Sequence, residues 1–190
     1  IANRFLGRLA DKIFLGFSEA EYFFPKEKCL FTGNPLRWEF FQEQPPCNPD
    51  ANSILVLGGS QGARTINNAI IEALPLLKEK FPKSRILHQT GQTDFDSIRS
   101  RLGNRHKDWY EPIPFIQNII DKYKDASLVV ARAGALTVSE LMRMGRPVIF
   151  VPYPRKGQND QITNARLMEM KGVARVVEQG ENFHLRLCDC

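Results

Sequence analysis

Three short stretches carry residue types from which a binding chemistry could be built. The first is Gly58-Gly59-Ser60-Gln61-Gly62-Ala63, which gathers glycines, a hydroxyl and an amide. Glycine lets a backbone approach a ligand closely and take positive φ. Where such a turn opens a helix, the first N–H groups are unpaired and the macrodipole adds partial positive charge. The combination suits a phosphate; a turn that binds nothing is the plainer alternative. The second stretch is Arg132-Ala133-Gly134-Ala135-Leu136-Thr137-Val138-Ser139-Glu140. Small side chains at 133–135 permit close approach to a phosphate or sugar. The Glu140 carboxylate is placed in the first turn of the following helix. There it either accepts hydrogen bonds from two neighbouring hydroxyls, as on a ribose, or merely complements the helix dipole, an effect of about 0.3–1 kcal/mol. Thr137 and Ser139 read as ordinary first-turn residues in the absence of a ligand. The third stretch is Gln158-Asn159-Asp160-Gln161. Side-chain amides both donate and accept, which suits sugar hydroxyls; helix capping by Asn159 or Asp160 is the simpler use. Arg37, after Gly33-Asn34-Pro35, reads by itself as a solvated arginine.

Other chemistries find little support. His88, His106 and His184 share no spacing with carboxylates or cysteines, so neither a metal site nor a Ser-His-Asp triad is expected. No GxxxxGK[ST] occurs, and Gly58–Ala63 lacks the GxGxxG order of dinucleotide enzymes. No aromatic ladder for RNA is present, and no nucleic-acid partner is expected. Cys29, Cys47, Cys188 and Cys190 form no disulfide framework, which fits a reduced, cytoplasmic setting. The Cys188-Asp189-Cys190 pair reads as incidental rather than as a metal site. No cofactor and no metal are expected.

The elements that must position these stretches follow from the apolar pattern. Ile54-Leu55-Val56-Leu57 is a buried strand leading into the first turn. Ile66, Ala69, Ile70, Ala73, Leu74 and Leu77 then give helical spacing, with Pro75 expected to kink the later part. A strand over 85–89 follows, then a weaker helix around Phe95, Ile98 and Leu102. Trp109 to Ile113 is a short or peripheral strand, because of Pro112 and Pro114. A helix carries Ile119, Ile120 and Tyr123, and 127–131 is a strand. Leu136 to Met144 is a helix, 148–151 a strand, 159–171 a helix capped by Gly172, and 173–177 the last strand. Alternating strands and helices predict an α/β, Rossmann-like parallel sheet covered on both faces. Such sheets take ligands beyond the carboxyl ends of their strands, so the three stretches fall on one rim.

Ahead of this unit, a helix over 3–10, a strand over 12–17, a short helix N-capped by Ser18 and a strand over 29–32 are too little for a core of their own. Ile1 is not a start residue, and this segment is expected to be the end of a domain that began earlier. The Pro-rich stretch 43–52 reads as a linker. The expected organisation is therefore 1–34 as the end of an N-terminal domain, 35–52 as a hinge, 53–182 as the binding domain and 183–190 as an atypical tail. Among 190 residues, 43% are hydrophobic and 25% charged, as in soluble globular proteins, and no apolar run is long enough to cross a membrane. The net charge of +5 fits an anionic substrate or membrane surface, and equally an ordinary solvated surface.

Four motifs occur in a shared order: Thr32-Gly-Asn-Pro-Leu-Arg37, Gly58-Gly-Ser-Gln-Gly-Ala63, Ala133-Gly-Ala-Leu-Thr-Val-Ser-Glu140 and Asp160-Gln-Ile-Thr-Asn-Ala165. In this the chain resembles the bacterial UDP-N-acetylglucosamine–N-acetylmuramyl-(pentapeptide) pyrophosphoryl-undecaprenol N-acetylglucosamine transferases, up to about Glu181. The resemblance implies the C-terminal domain of a two-domain GT-B glycosyltransferase. That enzyme moves N-acetylglucosamine from UDP-N-acetylglucosamine to lipid I, with inversion, to give lipid II in peptidoglycan synthesis. It implies a peripheral protein on the cytoplasmic face of the bacterial inner membrane, in contact with anionic lipid. Residue by residue, it implies a phosphate loop at Gly58, Gly59, Gln61 and Gly62, with Ser60 on a phosphate. Ile116 would hold uracil through its backbone, and Glu140 would grip the ribose. Ala135, Leu136 and Thr137 would contact the diphosphate and sugar, Gln161 the sugar hydroxyls, and Arg37 would sit near the nucleotide at the hinge. The family's acceptor loop and candidate base belong to its N-terminal domain. A chain with only the last segment of that domain is expected to bind the donor without transferring it. A nucleotide-sugar-binding module, an inactive truncated homologue, or a transferase for another UDP-sugar are the alternatives.

Overall fold

The computed structural model describes residues 2–42, 52–59, 61–103, 105–154 and 160–190. The chain divides into two units, Ile1–Trp38 and Glu39–Cys190.

In the first unit, helix α1 (Ala2–Leu9) precedes strand β1 (Ile13–Leu15), which pairs in parallel with β2 (Cys29–Phe31) in the register Ile13↔Cys29. A 3-10 helix over Ser18–Phe23 lies between them. Ser18 is not its cap: Phe17 occupies that position, and the Ser18 hydroxyl donates instead to Glu19. Leu15 is buried, whereas Phe5, Leu6, Leu9, Phe14 and Phe31 are exposed.

The second unit is built on six parallel strands: β3 (Ser53–Leu57), β4 (Arg85–Gln89), β5 (Tyr110–Ile113), β6 (Leu128–Ala131), β7 (Val148–Phe150) and β8 (Arg175–Val176). Their order across the sheet is β5-β4-β3-β6-β7-β8. The chain lays down β3, β4 and β5 in one direction, then returns to the other side of β3 for the rest. The reversal falls between β3 and β6, which pair from Ile54↔Leu128 to Leu57↔Ala131. This is the switch point where open α/β sheets bind ligands.

Helices α2 (Arg64–Lys80), α3 (Gln92–Leu102), α4 (Ile119–Asp125), α5 (Ala135–Met144) and α6 (Asp160–Met170) connect the strands, and α7 (Phe183–Cys188) follows β8. The central strands β3, β6 and β7 are apolar on both faces because both are covered. Ile54, Val56, Ile86, Val130 and Ile149 point to the face that packs Ile66, Ile70 and Leu74 of α2 with Phe183 and Leu187 of α7. Alternation sends Leu55, Val129 and Phe150 to the opposite face, and all three are buried. Pro75 lies inside α2 without ending it. Residues 183–188, read from sequence as part of an atypical tail, fold as α7 against α2 and bury Phe183, Leu187 and Cys188. The signal was present in Phe183, Leu185 and Leu187, but the segment is too short for its period to be decisive.

Candidate functional site

The turn after β3 is shaped by backbone contacts that only glycine satisfies. Gly59 and Gly62 both have φ of +79°, and the Gly62 N–H closes the turn on the Gly59 carbonyl at 3.0 Å. A Cβ on Gly62 would lie 2.2 Å from the Thr90 carbonyl oxygen, and one on Gly91 would lie 2.4 Å from the Gly62 nitrogen. A Cβ on Gly58 would meet the Ala63 nitrogen at 2.7 Å. The turn after β3 and the turn after β4 are therefore packed backbone to backbone.

α2 starts immediately after this turn, with Ala63 at its N-cap, and α5 starts after β6 with Gly134 at its N-cap. Neither residue has a side chain that can cap, so the first-turn N–H groups of both helices are left to other acceptors. For α5 these belong to Ala135, Leu136 and Thr137. Ala135 and Leu136 are exposed and Thr137 is half-buried. Both helix starts flank the switch point, and both contribute positive potential there.

Glu140 lies in the second turn of α5 rather than the first, since the helix begins at Ala135. It is half-buried, and its Oε2 accepts a hydrogen bond from the Tyr123 hydroxyl at 3.1 Å. Tyr123 is itself fully buried beside Phe40. Ile116 is buried in the loop after β5, with its N–H donating to Gln89 Oε1 at 3.0 Å. Gln161 Oε1 accepts from the Tyr153 N–H at 3.0 Å. Asn164 Nδ2 donates to the Ala133 carbonyl at 3.2 Å, tying α6 to the turn before α5. Arg132 donates to the carbonyls of Val151 at 3.0 Å and Pro152 at 3.3 Å, which fixes the end of β6 to the end of β7. Burial pulls its guanidinium down to about 10, so it keeps its charge at neutral pH.

Gly58, Gly59, Gln61, Gly62, Ile116, Ala135, Leu136, Thr137, Glu140 and Gln161 thus all lie beyond the carboxyl ends of one parallel sheet. Arg37 belongs to the first unit, between β2 and the 3-10 helix Trp38–Phe41. Ser60, and with it Gln158 and Asn159, lies outside the described residues.

Beneath the glycine turn is a buried polar network that sequence spacing did not show. Asn67 of α2 donates through Nδ2 to the Thr90 carbonyl (2.8 Å) and to Asp94 (2.9 Å). Its Oδ1 must then accept from His88 Nε2 at 3.0 Å, so His88 Nδ1 accepts from the Tyr110 hydroxyl at 2.9 Å. Burial drives the His88 pKa down to about 3 and raises that of Tyr110, so both are neutral. The network joins α2, β4, α3 and β5 under the turn that Gly62 and Gly91 close. Its members are far apart in sequence, and no motif links them. Gln89 was equally hidden, although Gln89-Thr90-Gly91 ends a strand on the same rim.

The strand order and the two helix starts at the switch point are those of a Rossmann-like domain of the GT-B glycosyltransferase class. The family model "Glycosyltransferase family 28 C-terminal domain" matches residues 53–187, and the chain belongs to that family. The match runs to residue 187 and so takes in most of α7, within the stretch 183–190 that the sequence reading set apart as an atypical tail. The chain is 44% identical over 179 residues to the UDP-N-acetylglucosamine--N-acetylmuramyl-(pentapeptide) pyrophosphoryl-undecaprenol N-acetylglucosamine transferase of Syntrophotalea carbinolica, covering 94% of this chain and 50% of that protein. It is 40% identical over 179 residues to the enzyme of the same name from Solibacter usitatus, covering 94% and 49%. The crystal structure of Acinetobacter baumannii MurG superposes with a TM-score of 0.70 at 26% identity, covering 100% of this chain and 53% of that one. The chain spans about half the length of the curated relatives it matches. Among the described residues, no helix is long and apolar enough to cross a membrane.

Proposed function

We propose that this chain is the donor-holding part of an inverting transferase that moves N-acetylglucosamine from UDP-N-acetylglucosamine to lipid I, giving lipid II. The observation that carries this reading is the pairing of two uncapped helix starts at the switch point with Glu140 one turn further along α5. The N–H groups of Gly58 and Gly62 are held by the carbonyls of Gln89 and Gly59, so the diphosphate lies against the N–H groups of Gly59 and Gln61 and of Ala135–Thr137, with Ser60 on a phosphate. The ribose hydroxyls donate to Glu140. The Ile116 N–H is committed to Gln89, so the base contact falls to the Ile116 carbonyl, which accepts from uracil N3–H. Gln161, whose Oε1 holds Tyr153, meets the sugar through Nε2.

Negative charge develops on the leaving UDP as the glycosidic bond breaks. Fixed N–H dipoles aimed at that charge stabilise the transition state more than the ground state and need no reorganisation. The base that accepts the proton of the acceptor hydroxyl belongs to the N-terminal domain of the family, together with the lipid I site. The whole protein works at the cytoplasmic face of the membrane, docked peripherally on anionic lipid; this chain contributes the donor site.

Competition between UDP-N-acetylglucosamine and UDP-glucose on this chain tests the donor. Preference for the acetamido sugar supports the reading, and preference for glucose points to a transferase for another sugar. Joining the chain to an N-terminal half from a relative and assaying lipid I consumption tests the reaction. Donor binding without transfer by the joined protein favours a nucleotide-sugar-binding module instead.

A further inference from the structure

We infer that Gln89 is a positioning residue that locks the phosphate turn to the base loop, so that the two ends of a uridine diphosphate are bound by one rigid unit. The inference rests on the donor-site reading above for its ligand, and on geometry within the second unit for its mechanism. Gln89 is the last residue of β4, between Leu57 of β3 and Ile113 of β5. Its side chain is buried and uses both ends of the amide. Nε2 donates to the Gly59 carbonyl at 2.9 Å, and Oε1 accepts from the Ile116 N–H at 3.0 Å. Its own carbonyl accepts from the Gly58 N–H at 3.2 Å. One residue therefore holds two consecutive glycines of the phosphate turn and the backbone of the loop after β5.

The chemistry of the side chain makes the link specific. A donor and an acceptor are both needed, at opposite ends of one group. Glutamate would keep the acceptor for Ile116 but set an anionic oxygen against the Gly59 carbonyl. Methionine would keep the volume and lose both bonds. Gly59 needs such an anchor: it has positive φ, and a Cβ there would touch nothing within 4 Å, so no packing restrains it from that side. A turn that must present its N–H groups to phosphate oxygens is preorganised only if its carbonyls are held elsewhere. The Gly59 carbonyl takes the Gly62 N–H from within the turn and the Gln89 amide from outside it, and only the second bond ties the turn to β4.

The test uses the present chain, with amide hydrogen exchange read residue by residue and UDP affinity read by calorimetry. In Gln89→Met, Ile116 exchange is expected to accelerate and the UDP Kd to rise, each by about tenfold, the loss of one net hydrogen bond. Amides of β6 and β7 should keep their protection. In Gln89→Glu, Ile116 should remain protected while the UDP Kd still rises, a split that general destabilisation does not produce. This second variant also serves if the methionine variant does not fold. Unchanged Ile116 protection in Gln89→Met, or unchanged UDP affinity in both variants of a parent that binds UDP, overturns the inference. If the parent itself binds no UDP, the donor-site reading fails; the exchange experiment then still decides whether Gln89 locks the two loops.

Discussion

The hydroxyl of the fully buried Tyr123 donates to Oε2 of the half-buried Glu140 at 3.1 Å, so a tyrosine of α4 helps to fix the rotamer of a carboxylate on α5. A carboxylate held in this way does not have to be ordered when a ribose arrives. Glu140→Ala is expected to weaken UDP binding by about 2 kcal/mol, near thirtyfold, through loss of charge-assisted bonds. Tyr123→Phe should weaken it by a smaller factor, about threefold to tenfold, because the carboxylate survives but is less restrained. The two effects share one group, so the double variant should bind no worse than Glu140→Ala alone. Calorimetry on the four proteins reads the cycle. Additive losses would show that Tyr123 acts elsewhere.

The glycines of the phosphate turn should differ sharply in their tolerance of a methyl group. Both Gly59 and Gly62 have φ of +79°, yet a Cβ at Gly59 meets open space and one at Gly62 meets the Thr90 carbonyl at 2.2 Å. Gly59→Ala should therefore cost only the conformational term, about 1–2 kcal/mol. Gly62→Ala adds a backbone clash that can be relieved only by separating the turns after β3 and β4. It should cost clearly more than Gly59→Ala and also abolish UDP binding. Urea denaturation of both variants provides the comparison, and equal losses of stability would contradict the packing described.

The His88 network predicts a dependence of stability on pH. His88 is neutral in the fold, with its pKa lowered from about 6.5 to about 3 by burial. Between those values the unfolded chain binds a proton that the folded chain does not. Its contribution to stability is thus complete above about pH 6.5 and is lost as pH falls towards 3. The slope from this one group is about 1.4 kcal/mol per pH unit. Other groups titrate in the same range, so the informative quantity is the difference between the parent and His88→Gln. Denaturation from pH 7 to pH 4 should show a shallower decline for the variant, by about one proton. Parallel curves would mean that His88 is charged in the fold.

Pattern alone placed the six strands and the helices between them to within a few residues, most clearly where the run is unbroken, as at Ile54–Leu57, β6 and β7; β4, β5 and β8 carry charged, polar or proline residues and were marked by their flanking turns. Leu55, Val56 and Leu57 could hardly be anything but a strand buried on both faces. The strand order was not legible, since a parallel sheet in any order has the same local pattern. The rim was legible because glycine turns and helix starts are local features: Gly58 to Gly62 and Gly134 to Glu140 announce themselves. Gln89, Asn67, His88 and Tyr123 were not legible, because each acts on a partner 17 or more positions away. Such bonds exist only once the sheet has brought the strand ends together. Ser18 illustrates the opposite error, a good local capping signal overruled by a 3-10 turn that starts one residue earlier.

Under the proposed function, the rim between β3 and β6 holds a uridine diphosphate sugar. The most direct measurement is a calorimetric titration of this chain with UDP, UDP-N-acetylglucosamine and NAD, on a sample shown to unfold cooperatively. Saturable binding of both uridine ligands and none of NAD is the predicted result. Absence of uridine binding by the folded chain, or binding of NAD in its place, would contradict the account.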